Sequence, residues 1–305
     1  MLIVALPVAA REVDPVIRIA IVQLRIDRRW TESQEAFDAQ ARRLVAAVVD
    51  EHAPDLIVLP EYLGFFRAAA AIRRRLPDAF DAIALAVNDR SESQLSIPDE
   101  IVEDALDGGI RVWRSIARTE SVAVVPGTGP AIDDDGSVRN RLWVIDERGD
   151  VVYHQDKAFL TDIERDVIGI EPGALHDASP VEIGGVEIAF TVCLDSFYSE
   201  WSDHFGEVDL WIDLRANGEP YTQEVRDRFA DALPRRVEES GTTLGASATL
   251  TGGFAGLIWE GPSFAVDKSG RRIAESPTAR GESVLIVEFA PEAEDFRVSV
   301  HPLRR

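Results

Sequence analysis

The chain has 305 residues, of which 46% are apolar, so it can bury a substantial core as one large domain or two ordinary ones. Its formal net charge of −22 would repel the phosphates of nucleic acids and anionic membrane surfaces, which argues against binding to either. A single cysteine cannot form an intramolecular disulfide, so a reducing cytoplasm is the expected location.

The N-terminal residues 1–15 are predicted to be a leader, and residues 16–305 a single domain. Residues 2–10 are apolar, but no basic residue precedes them and the segment is too short to span a bilayer. These features argue against a signal peptide or a membrane anchor.

Apolar segments rich in β-branched residues predict a series of strands, and one long segment with helical spacing predicts a helix. The helix covers residues 32–52, with Thr31 and Gln34 as a capping box and Phe37 and Leu44 on its apolar face. A second helix is predicted over residues 224–239. The predicted strands are residues 16–24, 56–59, 122–125, 141–146, 151–154, 181–183, 186–192, 209–214, 242–249, 264–266, 271–274 and 283–289.

The connections between these elements indicate hairpins and one long irregular stretch. Residues 147–150 and the pair Gly184-Gly185 predict hairpin turns. Residues 64–117 are predicted to be helical and irregular, and the part from about 65 to 110 is interpreted either as a lid or as exposed helix. No linker or repeat divides the chain, so one α/β domain with mixed sheets is the simplest architecture.

Cys193 follows the apolar strand predicted over residues 186–192, and a nucleophile at a strand end is well placed to face a pocket. A lone cysteine is more often an inert small side chain in a core, so its neighbours must decide between the two interpretations. A nucleophilic thiol needs a base or a cation nearby, because it is mostly protonated at neutral pH. None of the five histidines lies in a local signature of the Cys-His proteases.

A carboxylate and an ammonium group follow two other predicted strands. Glu61 comes after the strand that ends in Leu59, and Lys157 comes shortly after the strand over residues 151–154. Lys157 and Lys268 are the only lysines in a chain rich in arginine. Each of these charges alone is compatible with a surface position, but together they supply a base and a cation for a thiol.

Three short motifs resemble those of the nitrilase superfamily, the carbon–nitrogen hydrolases with a Glu-Lys-Cys triad. They occur in the family's order, and they are Leu59-Pro60-Glu61, Lys157-Ala158-Phe159-Leu160 and Val192-Cys193-Leu194-Asp195. Glu164 matches an additional glutamate found in many members. The resemblance runs from about residue 17 to residue 289, and it includes Gln23, a helix motif at Arg235 and Glu238, and residues 259–263.

The resemblance implies an α-β-β-α sandwich with mixed sheets in a single domain, assembled as a homodimer or a larger homo-oligomer. It implies that Glu61 is the base, that Cys193 forms a thioester, and that Lys157 and the backbone N–H of Leu194 stabilise the oxyanion. Glu164 would position substrate or hold Lys157. Neither a metal nor an organic cofactor is required.

Some positions depart from the family's pattern. Leu194 stands where an aromatic residue is common, and Gln155 and Asp156 stand where Tyr and Arg are frequent. Residues 215–221 lack the Pro-Ser-Ala-Trp type of sequence found in amidase members. The residues expected to bind substrate flank the motifs, and they are Tyr62, Asp195, Phe197 and Asn217.

The resemblance implies an amidase-type hydrolase of non-peptide carbon–nitrogen bonds, acting on a small linear amide, a carbamoyl compound or an ω-amidic acid. A nitrilase acting on a C≡N group is the enzymatic alternative, and the absence of Trp after Cys193 favours the amide. A catalytically silent binding protein with the same sandwich is the alternative from another class. Thiol reactivity at Cys193 would separate it from an enzyme.

Overall fold

The computed structural model describes residues 16–78, 81, 85, 99–254, 256–290 and 295–304. The predicted leader lies outside the described residues, and so does most of the polar part of the predicted lid. Two helices, over residues 63–75 and 99–120, occupy the described remainder of the lid region. The boundary between leader and domain therefore stays a prediction.

The strands follow the predicted order along the chain, with three additions. They are β1 (Ile17–Ile26), β2 (Leu56–Val58), β3 (Ala123–Val125), β4 (Thr128–Ile132), β5 (Val138–Ile145), β6 (Val151–Asp156), β7 (Val181–Ile183), β8 (Val186–Val192), β9 (Leu210–Arg215), β10 (Leu244–Phe254), β11 (Leu257–Trp259), β12 (Phe264–Asp267), β13 (Arg272–Glu275), β14 (Ser283–Ala290) and β15 (Asp295–Pro302). The additions that the sequence did not predict are β4, β11 and β15.

The described helices lie between these strands. The α-helices are α1 (Arg28–Thr31), α2 (Gln34–His52), α3 (Leu63–Arg75), α4 (Asp99–Glu120), α5 (Glu200–Phe205), α6 (Gln223–Arg228) and α7 (Leu233–Ser240). A π-helix covers Ile163–Ile168, and short 3₁₀ turns cover Leu175–Asp177, Cys193–Phe197 and Phe229–Asp231.

The strands pair into two mixed sheets joined at β1. In the first sheet, β1 pairs in parallel with β2 and antiparallel with β14, and the sheet continues to β3 and β5 on one side and to β15 on the other. The second sheet has the order β7-β8-β9-β10-β12-β13, with parallel pairs between β8, β9 and β10. The last residues of β1 pair in parallel with β10, which connects the two sheets.

Three apolar clusters fill the interfaces between four layers, which are two sheets and the helices on their outer faces. The facing surfaces of the two sheets bury side chains such as Ile21 and Ile212 against each other. Helices α2, α3 and α4 cover the outer face of the first sheet, and α5 and α7 cover the outer face of the second, where Trp201 and Leu233 meet Trp211. The architecture is therefore the α-β-β-α sandwich that the sequence predicts, and that prediction is confirmed.

Two helix predictions were wrong in detail. Helix α2 begins at Gln34 and its N-cap is Ser33, whose side chain accepts the N–H of Ala36 at 3.0 Å, so Thr31 is not its cap. The predicted helix over residues 224–239 is two helices, and Pro234 stands in the first turn of the second. A proline is tolerated in a first turn but not in a helix interior, which explains the break.

None of the helices in the described ranges combines the length and the apolar content that crossing a membrane requires.

Packing between the sheets makes a testable contribution to stability. We expect Ile212→Ala to lower the free energy of unfolding by about 2–5 kcal/mol, because Ile212 is fully buried and the substitution leaves a cavity. Ile273 is 40% exposed, so Ile273→Ala is the matched control, with an expected effect of about 0.5 kcal/mol or less. Equal losses in urea unfolding would contradict a core between the two sheets.

Candidate active site

Three strand ends deliver the residues of the site. Glu61 lies three residues beyond β2, Lys157 directly follows β6, and Cys193 directly follows β8. Gly127 lets the chain after β3 pass Glu61 closely, since a Cβ there would lie 2.1 Å from the carbonyl oxygen of Pro60. The structure thus brings together residues that are far apart in the chain, with 132 positions between Glu61 and Cys193.

Lys157 is the centre of a buried ion-pair network. Its Nζ donates to Oε1 of Glu61 at 2.9 Å and to both carboxylate oxygens of Glu164, at 2.9 and 2.8 Å. All three side chains are fully buried. Because two carboxylates share one ammonium group, the network carries one excess negative charge when both carboxylates are ionised.

Asn140 joins the two carboxylates, and sequence reasoning missed it. Its Nδ2 donates to Oε1 of Glu61 at 3.1 Å and to Oε1 of Glu164 at 2.9 Å. Asn140 lies on β5, where Leu142 and Val144 are the next buried residues at alternate positions. A polar residue in this inward-facing series is the signal that could have revealed it.

The two carboxylates differ in how well their charge is stabilised. Glu164 receives both Lys157 bonds, the Asn140 bond, and two bonds at 2.9 Å from the N–H and the hydroxyl of Thr161. In Glu61 the Lys157 and Asn140 bonds both reach Oε1, and Oε2 has no hydrogen-bond partner among the described residues.

The pKa values follow this difference. Burial raises the pKa of Glu61 to about 8, and the nearby ammonium of Lys157 only partly opposes that rise. Burial also acts on Glu164, but Lys157 and the other donors outweigh it and leave the pKa below its ordinary value. Two neighbouring carboxyls with pKa values pushed apart have separate roles, and Glu61 is the one suited to exchange protons near neutral pH.

Cys193 occupies a sharp turn between β8 and the 3₁₀ turn that it begins. Its φ is +52°, in the left-handed region that a side chain with a Cβ rarely adopts. The residue is half-buried, its Sγ lies 3.9 Å from the carbonyl oxygen of Ala216, and the carboxyl of Glu61 is close enough to shift the pKa of its thiol. The strained conformation presents the side chain at the end of the strand.

The thiol is protonated in the resting site. Burial and the adjacent carboxylate of Glu61 raise the pKa of Cys193, and the ammonium of Lys157 opposes this. The pKa of Lys157 lies well above its ordinary value because the surrounding acidic groups outweigh its desolvation, so it remains a cation. A protonated thiol beside a base with a pKa near neutrality is a pair that can transfer a proton.

Leu194 and Asp195 follow Cys193 in the 3₁₀ turn Cys193–Phe197, which we call the cysteine turn, and their surroundings differ. Leu194 is the second residue of the turn, where N–H groups of a helical segment have no partner within it. Asp195 is fully buried, and it accepts the N–H groups of Ala158, Phe159 and Val192 at 3.2, 2.8 and 3.2 Å. These bonds favour a positioning role for Asp195 over the substrate contact that the sequence predicts.

The other predicted substrate-binding residues also differ in their surroundings. Tyr62 is partly buried, and its ring lies 5.8 Å from Nζ of Lys157. Phe197 is partly buried and packs on Phe229, with 5.4 Å between the ring centroids. Asn217 is 5% exposed, and its amide donates to two backbone carbonyls, so it holds its own loop rather than facing outward.

The helix motif assigned to Arg235 and Glu238 lies on α7 beside a second ion pair of the same spacing. Arg235 and Glu238 are about half exposed and pair on the surface of α7. Arg236 is buried and pairs with Glu239 at 2.9 Å. Both pairs have the same i,i+3 spacing, so the sequence does not distinguish them and burial does.

Among the comparisons with known proteins, those with solved structures support the fold. No family model and no curated protein matches the chain in sequence. A solved structure of the amidase from Nesterenkonia sp. AN1, a double mutant in complex with acrylamide, is 20% identical, with a TM-score of 0.65 over 93% of each chain. The carbon–nitrogen hydrolase from Helicobacter pylori G27 is 16% identical, with a TM-score of 0.67 over 92% of this chain and 90% of that one.

A further structure of the Nesterenkonia enzyme names its family as the nitrilase superfamily, at 20% identity and a TM-score of 0.63 over 88% of this chain and 90% of that one. This chain has the nitrilase-superfamily fold. At this identity the likeness shows the fold alone. The roles of individual residues in this site therefore rest on the geometry described above.

No group of three or more His, Cys, Asp or Glu side chains within the described part of this nitrilase-type fold is arranged to hold a metal ion.

The pKa of Glu61 gives the reactivity of Cys193 a defined pH dependence. We expect the rate of alkylation by iodoacetamide to rise about tenfold per pH unit up to about pH 8 and then to level off, because Glu61 accepts the thiol proton only when ionised. Glu61→Gln is the control, and it should lose this inflection. An inflection between about pH 4 and 5, as for an ordinary glutamate, would contradict the assignment of the base.

Asn140 is expected to set the position of that inflection. Asn140→Asp replaces a donor with a third carboxylate, so the pKa of Glu61 should rise further and the inflection should move up by about one unit or more. Gln155 is a buried amide whose Nε2 donates to the carbonyl of Phe190, so Gln155→Glu is the matched control. An unchanged inflection in a folded Asn140→Asp protein would show that Asn140 does not act on Glu61.

Proposed function

We propose that the protein is an amidase-type hydrolase that cleaves a non-peptide carbon–nitrogen bond through a thioester on Cys193. The observation that carries the proposal is a thiol in a strained turn beside Glu61, the carboxyl whose pKa lies near neutrality. The fold shared with amidases of the nitrilase superfamily supports the same reaction class.

In the first half-reaction, Glu61 takes the thiol proton and the sulfur attacks the carbonyl carbon of the amide. A tetrahedral intermediate forms with its negative charge on the former carbonyl oxygen. The ammonium of Lys157 and the N–H of Leu194 stabilise that charge, and each such donor is typically worth about 3 kcal/mol. Glu61 then returns the proton to the leaving nitrogen, so ammonia or an amine departs and the thioester remains.

In the second half-reaction, Glu61 takes a proton from water, and the resulting hydroxide adds to the thioester carbon. Collapse of the new intermediate breaks the carbon–sulfur bond, the thiol recovers its proton from Glu61, and a carboxylic acid leaves. Glu164 touches Lys157 with both oxygens, which supports a role in holding the ammonium in place rather than in proton transfer.

The proposed substrates are small linear amides, carbamoyl compounds or ω-amidic acids. The Nesterenkonia amidase has been solved with acrylamide, with butyramide, and with the acetamide moiety of fluoroacetamide added to its active-site cysteine. Its bound compounds favour an amide over a nitrile for this chain.

The nitrile reaction would use the same nucleophile and base, so it stays the enzymatic alternative. A silent binding protein with the same fold is the other alternative, although the buried network around Lys157 has no evident purpose there. A homodimer or larger homo-oligomer and a cytoplasmic location remain proposals drawn from the sequence.

The decisive experiment measures ammonia release from a panel of short amides, ω-amidic acids, carbamoyl compounds and nitriles. We expect release from the amide classes to vanish in Cys193→Ala, with an acyl adduct on the parent chain in acid-quenched mass spectra. Lys157→Met should lower kcat/KM by about 10² or more, since it removes an oxyanion donor and leaves two buried carboxylates without their cation.

Lys268 offers a matched control, because it is the only other lysine and it is exposed on the turn after β12. Lys268→Met should leave kcat/KM within about twofold of the parent, as for a surface substitution. Release from nitriles alone would favour the nitrilase alternative. Silence across the panel, together with a Cys193 that iodoacetamide does not label, would favour the binding protein.

A further inference from the structure

A second buried ion pair lies behind the cysteine turn, outside the network of Lys157. Arg215 donates from Nε and Nη2 to Oδ2 of Asp213, at 2.9 and 2.5 Å. Their side chains are 3% and 0% exposed. A pair so deeply buried has lost its hydration, so it requires further contacts that compensate for the loss.

The contacts of Asp213 lead to the backbone of the nucleophile. Its Oδ1 accepts the N–H of Cys193 at 3.1 Å. The hydroxyl of Ser196 donates to the carbonyl oxygen of Cys193 at 2.8 Å and lies 3.3 Å from Oδ2 of Asp213, so its single proton is shared between the two acceptors. Both backbone polar groups of Cys193 are therefore tied to Asp213, one directly and one through Ser196.

These bonds explain how the strained turn persists. A left-handed conformation at a residue with a Cβ is unfavourable, and it survives only where the surroundings hold it. Cys193 has a φ of +52°, and the two bonds act on the two peptide groups that define its conformation.

Arg215 holds Asp213 and balances its charge. Its guanidinium lies over the ring of Phe229 at 4.3 Å and within 5.7 Å of the ring of Phe264, so it is fixed by aromatic contacts as well as by the ion pair. The two charges act on the thiol in opposite directions, since Asp213 raises the pKa of Cys193 and Arg215 lowers it.

We propose that Asp213 and Arg215 are positioning residues, in which Asp213 holds Cys193 in its left-handed conformation and Arg215 offsets the charge that Asp213 places beside the thiol. The inference rests on the proposed nucleophilic role of Cys193. It also assigns the oxyanion donors, because the N–H of Cys193 is occupied by Asp213 and the N–H of Leu194 is the next along the turn.

The single cysteine makes a direct test possible. Full-length chain labelled with ¹⁵N-cysteine gives one amide signal, and its hydrogen-exchange rate reports the bond between Cys193 and Asp213 without requiring turnover. The alkylation rate of Cys193 at a fixed pH of about 8 reports the charge balance at the thiol.

The two single variants should differ in a way that a general loss of packing would not produce. We expect Arg215→Met to slow alkylation about tenfold or more, because it leaves a buried carboxylate near the thiol. Asp213→Leu should not slow alkylation, because it removes both the carboxylate and the acceptor for the Cys193 N–H and leaves only the guanidinium. Both should speed exchange of the Cys193 amide about tenfold or more. Arg67 forms a buried pair with Asp38 elsewhere, so Arg67→Met is the control, with both rates unchanged.

The double variant Asp213→Leu with Arg215→Met covers the case in which a single variant does not fold, since it leaves neither an unpaired buried charge nor an acceptor for the Cys193 N–H. We expect its alkylation rate within about threefold of the parent and its Cys193 amide exchange about tenfold faster. Parental amide exchange in the folded double variant, or equal slowing of alkylation in both single variants, would overturn the proposal. If the parent hydrolyses no amide but the variants still show faster exchange of the Cys193 amide, only the proposed function is refuted and the positioning role stands.

Discussion

The site depends on one ammonium group held between two buried carboxylates. Lys157 can neutralise only one of Glu61 and Glu164, and the low-polarity surroundings make the excess charge costly. Glu164 receives more hydrogen-bond donors, which stabilise its ionised form. The ionised form of Glu61 is less stabilised against burial, so the pKa of Glu61 is raised. The same imbalance that would destabilise an ordinary core thus raises the pKa of one carboxyl to about 8, as the proposed base requires.

This arrangement requires strand ends from two sheets to meet, and the fold fixes their separation. Packing between the sheets sets the distance from β2 and β6 to β8, and one buried carboxylate then ties the last two together. Asp195 accepts N–H groups from Ala158 and Phe159, just after Lys157, and from Val192, just before Cys193. Asp195 therefore connects the chain just after Lys157 to the turn at Cys193, and this connection fixes the ammonium relative to the sulfur.

The sequence predicted most of the strands, because apolar runs are local patterns. The resemblance implied the layers and also pointed to Glu61, Lys157, Glu164 and Cys193, whose catalytic roles stay a prediction. The sequence did not predict Asn140, whose role depends on two carboxylates that are 79 and 24 residues away. It also could not tell which of the two Arg-Glu pairs on α7 is buried, because the pairs have equal spacing. Features defined by long-range convergence were therefore missed, whereas those defined by local order were found.

The segment of residues 215–221, whose first residue ends β9, shows how a site can persist when its flanking sequence changes. It lacks the sequence common in amidase members, yet it starts with Arg215, which pairs with Asp213 behind the nucleophile. A sharp turn at a strand end needs its backbone held, but the holding group need only be an acceptor at the right distance from the N–H. Many side chains meet that requirement, and few can replace a thiol, an ammonium and a carboxylate. Divergence is therefore expected in the residues that hold the turn before it reaches those that perform the chemistry.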